Sequence, residues 1–212
     1  MPLRNRVDPW GDLHVVSARG ILTGNRGCLV DNSSEFVRHH RGDLWISCLT
    51  EYRGWRNPLT QPGRWTPLFF LDEAVALAAG HRPCGLCRRS AYEAYRNAVI
   101  TAGLLPADAG ASDLNRILGR ERLRPGRGLN RAADRKLWKT PIETLPNGAV
   151  IVIEGCPCLL FEHRLWRFGF EGWTDPMLKP HSGLLEVLTP PSSVAALRHG
   201  YQPLLHPALL AT

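Results

Sequence analysis

The sequence reads FFLDEAVALAAGHRPCGLCR from Phe69 to Arg88, and this stretch combines three structural signals. Asp72 is a typical N-cap for a short helix over Glu73–Ala79, and Gly80 supplies the left-handed residue that ends such helices. The chain then enters the CGLC turn of Cys84–Cys87, in which two thiolates three residues apart can bind one metal ion. The stretch therefore predicts a strand, a short helix and a metal-binding turn in direct succession.

Strand and helix patterns alternate along the rest of the chain. Alternating or β-branched runs predict strands at Leu13–Thr23, Asp43–Tyr52, Thr66–Phe70, Ala149–Glu154, Cys158–Phe168 and Gly183–Leu188. Apolar residues at helical spacing predict helices from Ser90 to Ala102, at Ser112–Arg124, at Asn130–Trp138 and at Ser193–His199. Ser90 and Glu93 form the capping box expected where the first of these helices begins.

The predicted elements divide the chain into three segments. Residues 1–103 hold the metal-binding turn, residues 104–140 form a basic helical connector, and residues 141–212 are β-rich. A linker of Pro, Ala and Gly at Leu104–Ala111 separates the first two segments. We therefore expect an α+β fold, with a zinc-bearing α/β N-terminal region followed by basic helices and a β-rich C-terminal region.

Composition excludes several classes of protein. The 212 residues include 44% hydrophobic and 21% charged residues, with 20 Gly and 17 Pro, which disfavours coiled coils and fibrous arrays. No run reaches the ~20 apolar residues that span a bilayer, and no apolar segment follows the charged N-terminus as in a signal peptide. We expect a cytoplasmic protein, in which the six cysteines are reduced and serve metal binding or burial.

A structural zinc ion takes four ligands, and the turn supplies two of them. The other two are predicted to be Cys48 and Cys28, which lie upstream on or beside predicted strands. The alternatives for the fourth ligand are His39, His40 and His81. Two other interpretations remain open at this point: the upstream cysteines are small buried residues, or the turn is a redox site. We expect zinc in a closed, structural site.

The stretch Phe69–Arg88 resembles the closing half of the metal-binding domain of Ada-type DNA-repair proteins, which has an aromatic strand, an EAxAAG helix and an RPCxxC turn. Asn25-Arg26 after Gly24 is similar to the start of related zinc modules attached to nucleases. The resemblance implies that Cys84 and Cys87 are zinc ligands. The whole chain also resembles a bacterial family in which a strand–CxxC–helix segment precedes a β-rich half.

Positive charge is concentrated between Arg116 and Lys139, where nine basic residues face two acidic ones, in a chain with a pI of about 9.4. Such a segment predicts contacts with the phosphates of nucleic acid, DNA more than RNA. The predicted contact residues are Arg116, Arg120, Arg124, Arg127, Arg131, Arg135 and Lys136, with Arg167 from a later strand. The alternative to phosphate binding is that these residues form a solvent-exposed charged face, or that the arginines pair with carboxylates elsewhere in the fold.

The C-terminal half contributes aromatic residues and two further cysteines. Alternation over Trp166–Trp173 predicts that Trp166, Phe168 and Phe170 enter the core, which would leave Arg167 and Trp173 exposed. Cys156 and Cys158 are predicted to be core thiols.

Three functions fit these features. The first is a zinc-stabilised nucleic-acid-binding protein, in DNA repair or regulation. The second is an enzyme acting on nucleic acid, by alkyl transfer to a zinc thiolate or by base processing. The third is a protein-interaction module with structural zinc.

Overall fold

The computed structural model describes residues 2–54, 59 and 61–210, which form two six-stranded sheets and five α-helices. The strands of the N-terminal sheet are β1 (Arg4–Val7), β2 (Leu13–Val15), β3 (Leu22–Asn25), β4 (Ile46–Leu49), β5 (Leu68–Phe70) and β6 (Arg82–Pro83). Those of the C-terminal sheet are β7 (Trp138–Pro141), β8 (Val150–Ile153), β9 (Cys156–Phe161), β10 (Arg164–Gly169), β11 (Gly172–Leu178) and β12 (Leu184–Val187). The helices are α1 (Glu73–Ala78), α2 (Arg89–Thr101), α3 (Ala111–Arg122), α4 (Pro191–Arg198) and α5 (Pro207–Leu210). The predicted α+β class is confirmed.

The N-terminal sheet is mixed, with strand order β2-β1-β5-β3-β4-β6. β1 pairs with β5 and β4 pairs with β6 in parallel, while the other neighbours are antiparallel. Because β4 and β6 run in the same direction, the residues that follow each of them emerge at the same end of the sheet. This end carries the cysteines described below.

The C-terminal sheet is antiparallel throughout, with strand order β11-β10-β9-β8-β12-β7. Its apolar face packs against the N-terminal half, so one cluster of buried side chains contains Leu22 and Phe70 together with Val150, Leu159 and Trp166. The two sheets therefore share a hydrophobic core.

Trp173 belongs to this core, contrary to the prediction that it would be exposed. Its side chain is 6% exposed, and its indole Nε1 donates a hydrogen bond to Asp72 Oδ2 at 2.7 Å. The other carboxylate oxygen of Asp72 accepts from the backbone N–H of Val75 at 3.1 Å and caps α1. The predicted helix start is thus correct, and its capping residue also ties α1 to the second sheet.

Several predicted boundaries are wrong because single long runs prove to be two elements. The run Leu13–Thr23 divides into β2 and β3, since the intervening Gly20 lies directly against the backbone of Phe70. The run Cys158–Phe168 folds into the hairpin β9–β10, with left-handed backbone at Glu162 and His163. This conformation is uncommon for residues other than Gly, Asn and Asp, so the sequence carries no standard turn signal there.

Two helix predictions also need correction. α2 begins one residue before Ser90, without a side-chain cap, because the CGLC turn leads directly into it. The predicted helix over Asn130–Trp138 is only a single 3-10 turn at Ala132–Asp134, and Trp138 already starts β7. No helix in the described part of the chain has the length and apolar character that crossing a bilayer requires.

Candidate metal centre

Three of the four predicted zinc ligands lie together. The sulfur atoms of Cys48, Cys84 and Cys87 are all within 4.8 Å of one another. Tetrahedral zinc with Zn–S bonds of ~2.3 Å places its sulfurs roughly 3.8 Å apart, so small side-chain adjustments bring these thiols around one ion. The donor set consists of soft sulfur atoms, which Zn²⁺ accepts readily, and the residues present therefore fit a metal ion.

The parallel pairing of β4 with β6 creates this cluster. Ser47 is aligned with Pro83, so the next residues along the two strands are Cys48 and Cys84. The backbone N–H of Cys84 donates to the carbonyl oxygen of Ser47 at 2.9 Å, which fixes this register. The turn after Cys84 then brings Cys87 back toward the same point, and α2 begins two residues later.

The metal-free thiols are coupled by hydrogen bonds. Hydrogen bonds from Cys48 and Cys87 lower the pKa of Cys84, whereas the bond to Cys84 and the burial of Cys48 raise the pKa of the Cys48 thiol. The backbone N–H of Leu86 also donates to the Cys84 sulfur, at 3.4 Å. Cys84 is therefore the first thiol of the cluster to ionise, which is the form a metal ion requires.

Cys28 does not join the cluster, which corrects the predicted ligand set. In the β3–β4 pairing Thr23 lies opposite Cys48, and Cys28 lies five residues further along the chain, beyond the end of β3. A strand rises ~3.3 Å per residue, so this offset carries Cys28 away from the other thiols. Its sulfur instead donates to the carbonyl oxygen of Val30 at 3.4 Å.

The alternative histidine ligands lie elsewhere as well. The rings of His39, His40 and His81 all pack around Trp45, at centroid distances of 5.5, 5.2 and 5.2 Å. Among the described residues, no His, Asp or Glu belongs to the three-cysteine cluster. The residues outside that description, such as Trp55 and Thr60, include no Cys, His, Asp or Glu.

The cluster forms part of the wall of a large cavity with a volume of about 960 Å³. Apolar side chains contribute much of the lining, among them Leu3, Ile46, Leu49, Leu59, Trp65, Phe69 and Leu86. Leu49, Leu59 and Leu86 are 38%, 48% and 70% exposed, and together they give the cavity an apolar mouth. No carboxylate occurs among the described lining residues.

Two arginines that the sequence analysis did not single out also line this cavity, namely Arg6 and Arg19. The guanidinium of Arg6 stacks on the Phe69 ring at 4.6 Å and donates to the Ala18 carbonyl at 2.6 Å. Burial and the nearby charge of Arg19 lower the pKa of Arg6. The cavity therefore combines thiols, apolar walls and positive charge. Arg6 and Arg19 belong to no sequence motif that would indicate this.

Cys156 and Cys158 lie outside the cluster, on β9. Cys158 is fully buried, and burial raises the pKa of its thiol. The prediction of a core thiol is correct for Cys158, while Cys156 is only half-buried.

Two of the predicted phosphate-binding residues are buried, and this corrects the interpretation of the basic segment. Arg131 is 3% exposed, with its Nε paired to Asp134 and its Nη2 donating to the Arg124 carbonyl at 2.7 Å. Arg135 is 4% exposed and donates to backbone carbonyls, including that of Leu188 at 3.0 Å. These guanidiniums satisfy carbonyl oxygens inside the fold, which counting charges along the sequence cannot reveal.

The remaining predicted contact residues are exposed. They are Arg116, Arg120, Arg124, Arg127, Lys136 and Arg167. Arg116 pairs with Asp113 at 2.9 Å on α3, and Lys136 donates to the Arg120 carbonyl at 2.6 Å. Arg167 lies on β10 of the C-terminal sheet, apart from the others in the sequence.

Comparisons with models of protein families, with curated proteins and with solved structures found no match to this chain.

Proposed function

We propose that the chain is a zinc protein in which Cys48, Cys84 and Cys87 hold one Zn²⁺ and the fourth coordination position faces the cavity. The observation that carries this proposal is that the three clustered thiols are part of the cavity wall. Zinc sites with three protein ligands and one open position are typical of zinc that acts on a ligand, whereas structural sites are closed by four. The expectation of a closed site depended on Cys28, which lies elsewhere.

The chemistry of the cavity favours one class of ligand. Three thiolates and one Zn²⁺ carry a net negative charge, and such a centre suits a soft donor atom such as a ligand sulfur. A thiol that coordinates zinc releases its proton to solvent and remains as a thiolate. The apolar walls fit a hydrophobic ligand body, and Arg6 and Arg19 suit a negatively charged group on it.

Hydrolysis by a zinc-bound water is less well supported than ligand activation. That chemistry uses a carboxylate or histidine to move the proton of the water, and the described lining residues provide neither. We therefore propose that the site binds and ionises a ligand thiol. Alkyl transfer at a zinc thiolate, the activity suggested by the Ada-type resemblance, would use the same centre.

Elemental analysis of the purified protein tests the metal centre. We expect one zinc per chain in the wild type and in Cys28→Ser, which removes a buried cysteine outside the cluster. Cys84→Ser and Cys87→Ser should lose the metal. Zinc loss in Cys28→Ser, or metal-free wild type prepared without chelator, would contradict the proposed ligand set.

Cobalt substitution tests the open position. Co²⁺ bound by thiolates has visible absorption bands that change with the number of ligands. Adding a small aromatic thiol should change the spectrum, and the corresponding alcohol should leave it unchanged. A spectrum that does not change when the thiol is added would indicate a purely structural role for the metal, as expected for a protein-interaction module.

Nucleic-acid binding, to DNA more than to RNA, is a second candidate function. It is supported by the exposed cations on and after α3, of which Arg116, Arg120 and Arg127 are examples. Replacing these three with Gln should weaken oligonucleotide binding and reduce its salt dependence by about one unit of slope per lost contact. The matched control replaces three arginines with Gln outside this segment, at the exposed positions Arg89, Arg164 and Arg198.

A further inference from the structure

Five basic side chains surround the indole ring of Trp45. Two of them are arginines, since the Cζ atoms of Arg26 and Arg122 lie 4.3 and 4.0 Å from the ring centroid. The other three are the histidines described above. Trp45 is 1% exposed, Arg26 is fully buried and Arg122 is 2% exposed, so this is an interior cluster.

Burying guanidinium groups costs several kcal/mol each unless carboxylates compensate them. Arg26 instead donates to the Gly11 carbonyl at 2.7 Å and to His81 Nε2 at 3.2 Å, both uncharged acceptors. Burial and the neighbouring arginines lower the pKa of Arg26 to about 9 and that of Arg135 to about 10. Both groups therefore remain charged at neutral pH.

Buried donors in this cluster, and in Arg135 whose charge acts on Arg26, are also left without partners. Among the described residues, Arg26 Nη2, Arg135 Nε and His81 Nδ1 have no hydrogen-bond partner. The nearest ion-pair partner of Arg122 is Asp43, at 3.3 Å, and the Asp43 side chain is 71% exposed. Asp8 and Asp12 offset part of the charge on Arg26, although the neighbouring Arg135 and Arg122 act on it more strongly.

A second cavity of about 310 Å³ opens beside this cluster. Its wall includes Trp45, His40 and four cationic side chains, which are Arg122, Arg124, Arg131 and Lys136. Asp43 is the single carboxylate in the described lining. Arg122 and Arg131 are buried parts of the fold, whereas Arg124 and Lys136 are exposed and stand at the rim.

We propose that this cavity binds a small phosphate-bearing ligand. The exposed guanidinium of Arg124 matches phosphate oxygens in geometry and can donate charge-assisted hydrogen bonds to them, and Lys136 adds a point charge at the rim. Arg122 and Arg131 already donate to groups of the fold and contribute positive charge to the wall. The volume is larger than one phosphate group needs and small for a nucleic-acid strand, which favours a phosphate monoester. This site is separate from the three-cysteine cavity, with which it shares no lining residue.

Calorimetric titration of the 212-residue chain with inorganic phosphate, at constant ionic strength, tests the proposal. The test variant is Arg124→Gln/Lys136→Gln, which removes the two rim charges while leaving the buried arginines in place. Arg116→Gln/Arg127→Gln removes the same charge from the same basic segment but from outside the cavity, and serves as control. We expect the test variant to bind phosphate about tenfold more weakly and the control to change by less than about twofold.

Three outcomes would overturn the proposal. The first is a wild type that does not bind phosphate at millimolar concentration. The second is an equal loss in the test and control variants, which would indicate unspecific attraction to net charge. The third is binding of a single-stranded oligonucleotide without binding of free phosphate, which would make the region a nucleic-acid surface. Competition between inorganic phosphate and a phosphate monoester for one site would support the proposal.

Discussion

Arg88 and Glu73 form a buried, bidentate ion pair that joins the metal-binding turn to α1. Arg88 Nη1 and Nη2 donate to Glu73 Oε1 and Oε2 at 2.7 and 2.6 Å, and the side chains are 6% and 0% exposed. Arg88 Nη1 also donates to Ser47 Oγ, next to Cys48. Glu73 accepts further bonds from Tyr201 and Leu204, so the C-terminal segment helps to fix the turn.

We expect removal of either partner of this pair to destabilise the fold. Glu73→Gln and Arg88→Gln each leave an uncompensated buried charge, which costs roughly 3–5 kcal/mol. Urea unfolding measures this loss. The control is Arg89→Gln, because Arg89 pairs with Glu93 at an exposed position where such pairs contribute about 0.5 kcal/mol. Equal effects of the buried and exposed variants would refute the structural role of the pair.

Removal of the proposed zinc ion should also destabilise the protein. Ligation energy contributes to folding when the ligands come from separated segments, as Cys48 and the CGLC turn do. A chelator should lower the melting temperature of the wild type and of Cys28→Ser, and added zinc should restore it. Cys84→Ser should melt lower from the outset and respond to neither reagent; a chelator effect on Cys84→Ser would show that the metal lies elsewhere.

Stability should decrease on mild acidification because of buried histidines. Burial, and then the charge of Arg26, lowers the pKa of His39 to about 2 and that of His40 to about 4. The unfolded chain protonates its histidines near pH 6.5, so between about pH 6.5 and 4 it binds more protons than the folded chain. The stabilisation is present above this window and is lost as the pH falls through it.

The measurement is the change in unfolding free energy between about pH 7 and about pH 5, in urea. His39→Gln should show a smaller change than the wild type. His14→Gln is a control in which the pH dependence of stability should change in the opposite direction. The hydrogen bond to Asp8 raises the pKa of His14, so this histidine stabilises the fold on the acidic side. An unchanged slope in His39→Gln would exclude His39 as the source.

The sequence was most informative where structure is local. Asp72 and Gly80 bracket α1 as predicted, and the CGLC turn projects its thiols toward Cys48. These features depend on neighbouring residues, which a sequence displays directly. The hairpin turn at Glu162-His163 was missed because its left-handed backbone is imposed by strand pairing rather than by turn-forming residues.

The other differences between the predictions and the structure arise from contacts between residues that are far apart in the sequence. Cys28 lies at a plausible sequence distance from the turn, but the β3–β4 register, not the spacing, decides which cysteine meets it. A count of charged residues along the sequence assigns Arg131 and Arg135 to the surface. In the structure both side chains are buried and donate hydrogen bonds to backbone carbonyl oxygens of other segments. The cluster around Trp45 likewise consists of residues that are far apart in the sequence, and no sequence motif predicts it.

A final prediction concerns Gly20, which lies between β2 and β3 and lines the large cavity. A Cβ atom added there would be 1.7 Å from the Phe70 carbonyl oxygen and 2.3 Å from its carbonyl carbon, both of them backbone atoms. The backbone hydrogen bond from Ile21 N–H to the Leu71 carbonyl, at 2.9 Å, holds the two segments at this distance. Only a residue without a side chain permits this approach.

Gly20→Ala must therefore push β3 away from β5, which lies next to α1 and the cavity wall. Overpacking of this kind costs about 1–3 kcal/mol or more, and urea unfolding should detect it. Gly172→Ala is the matched control, because a Cβ at Gly172 meets nothing within 4 Å and its φ is not in the left-handed region. We expect Gly20→Ala to be less stable than the wild type. Its zinc content should also be lower if the strands shift as far as Cys48. Wild-type stability in this variant would mean that the two segments do not approach as closely as described.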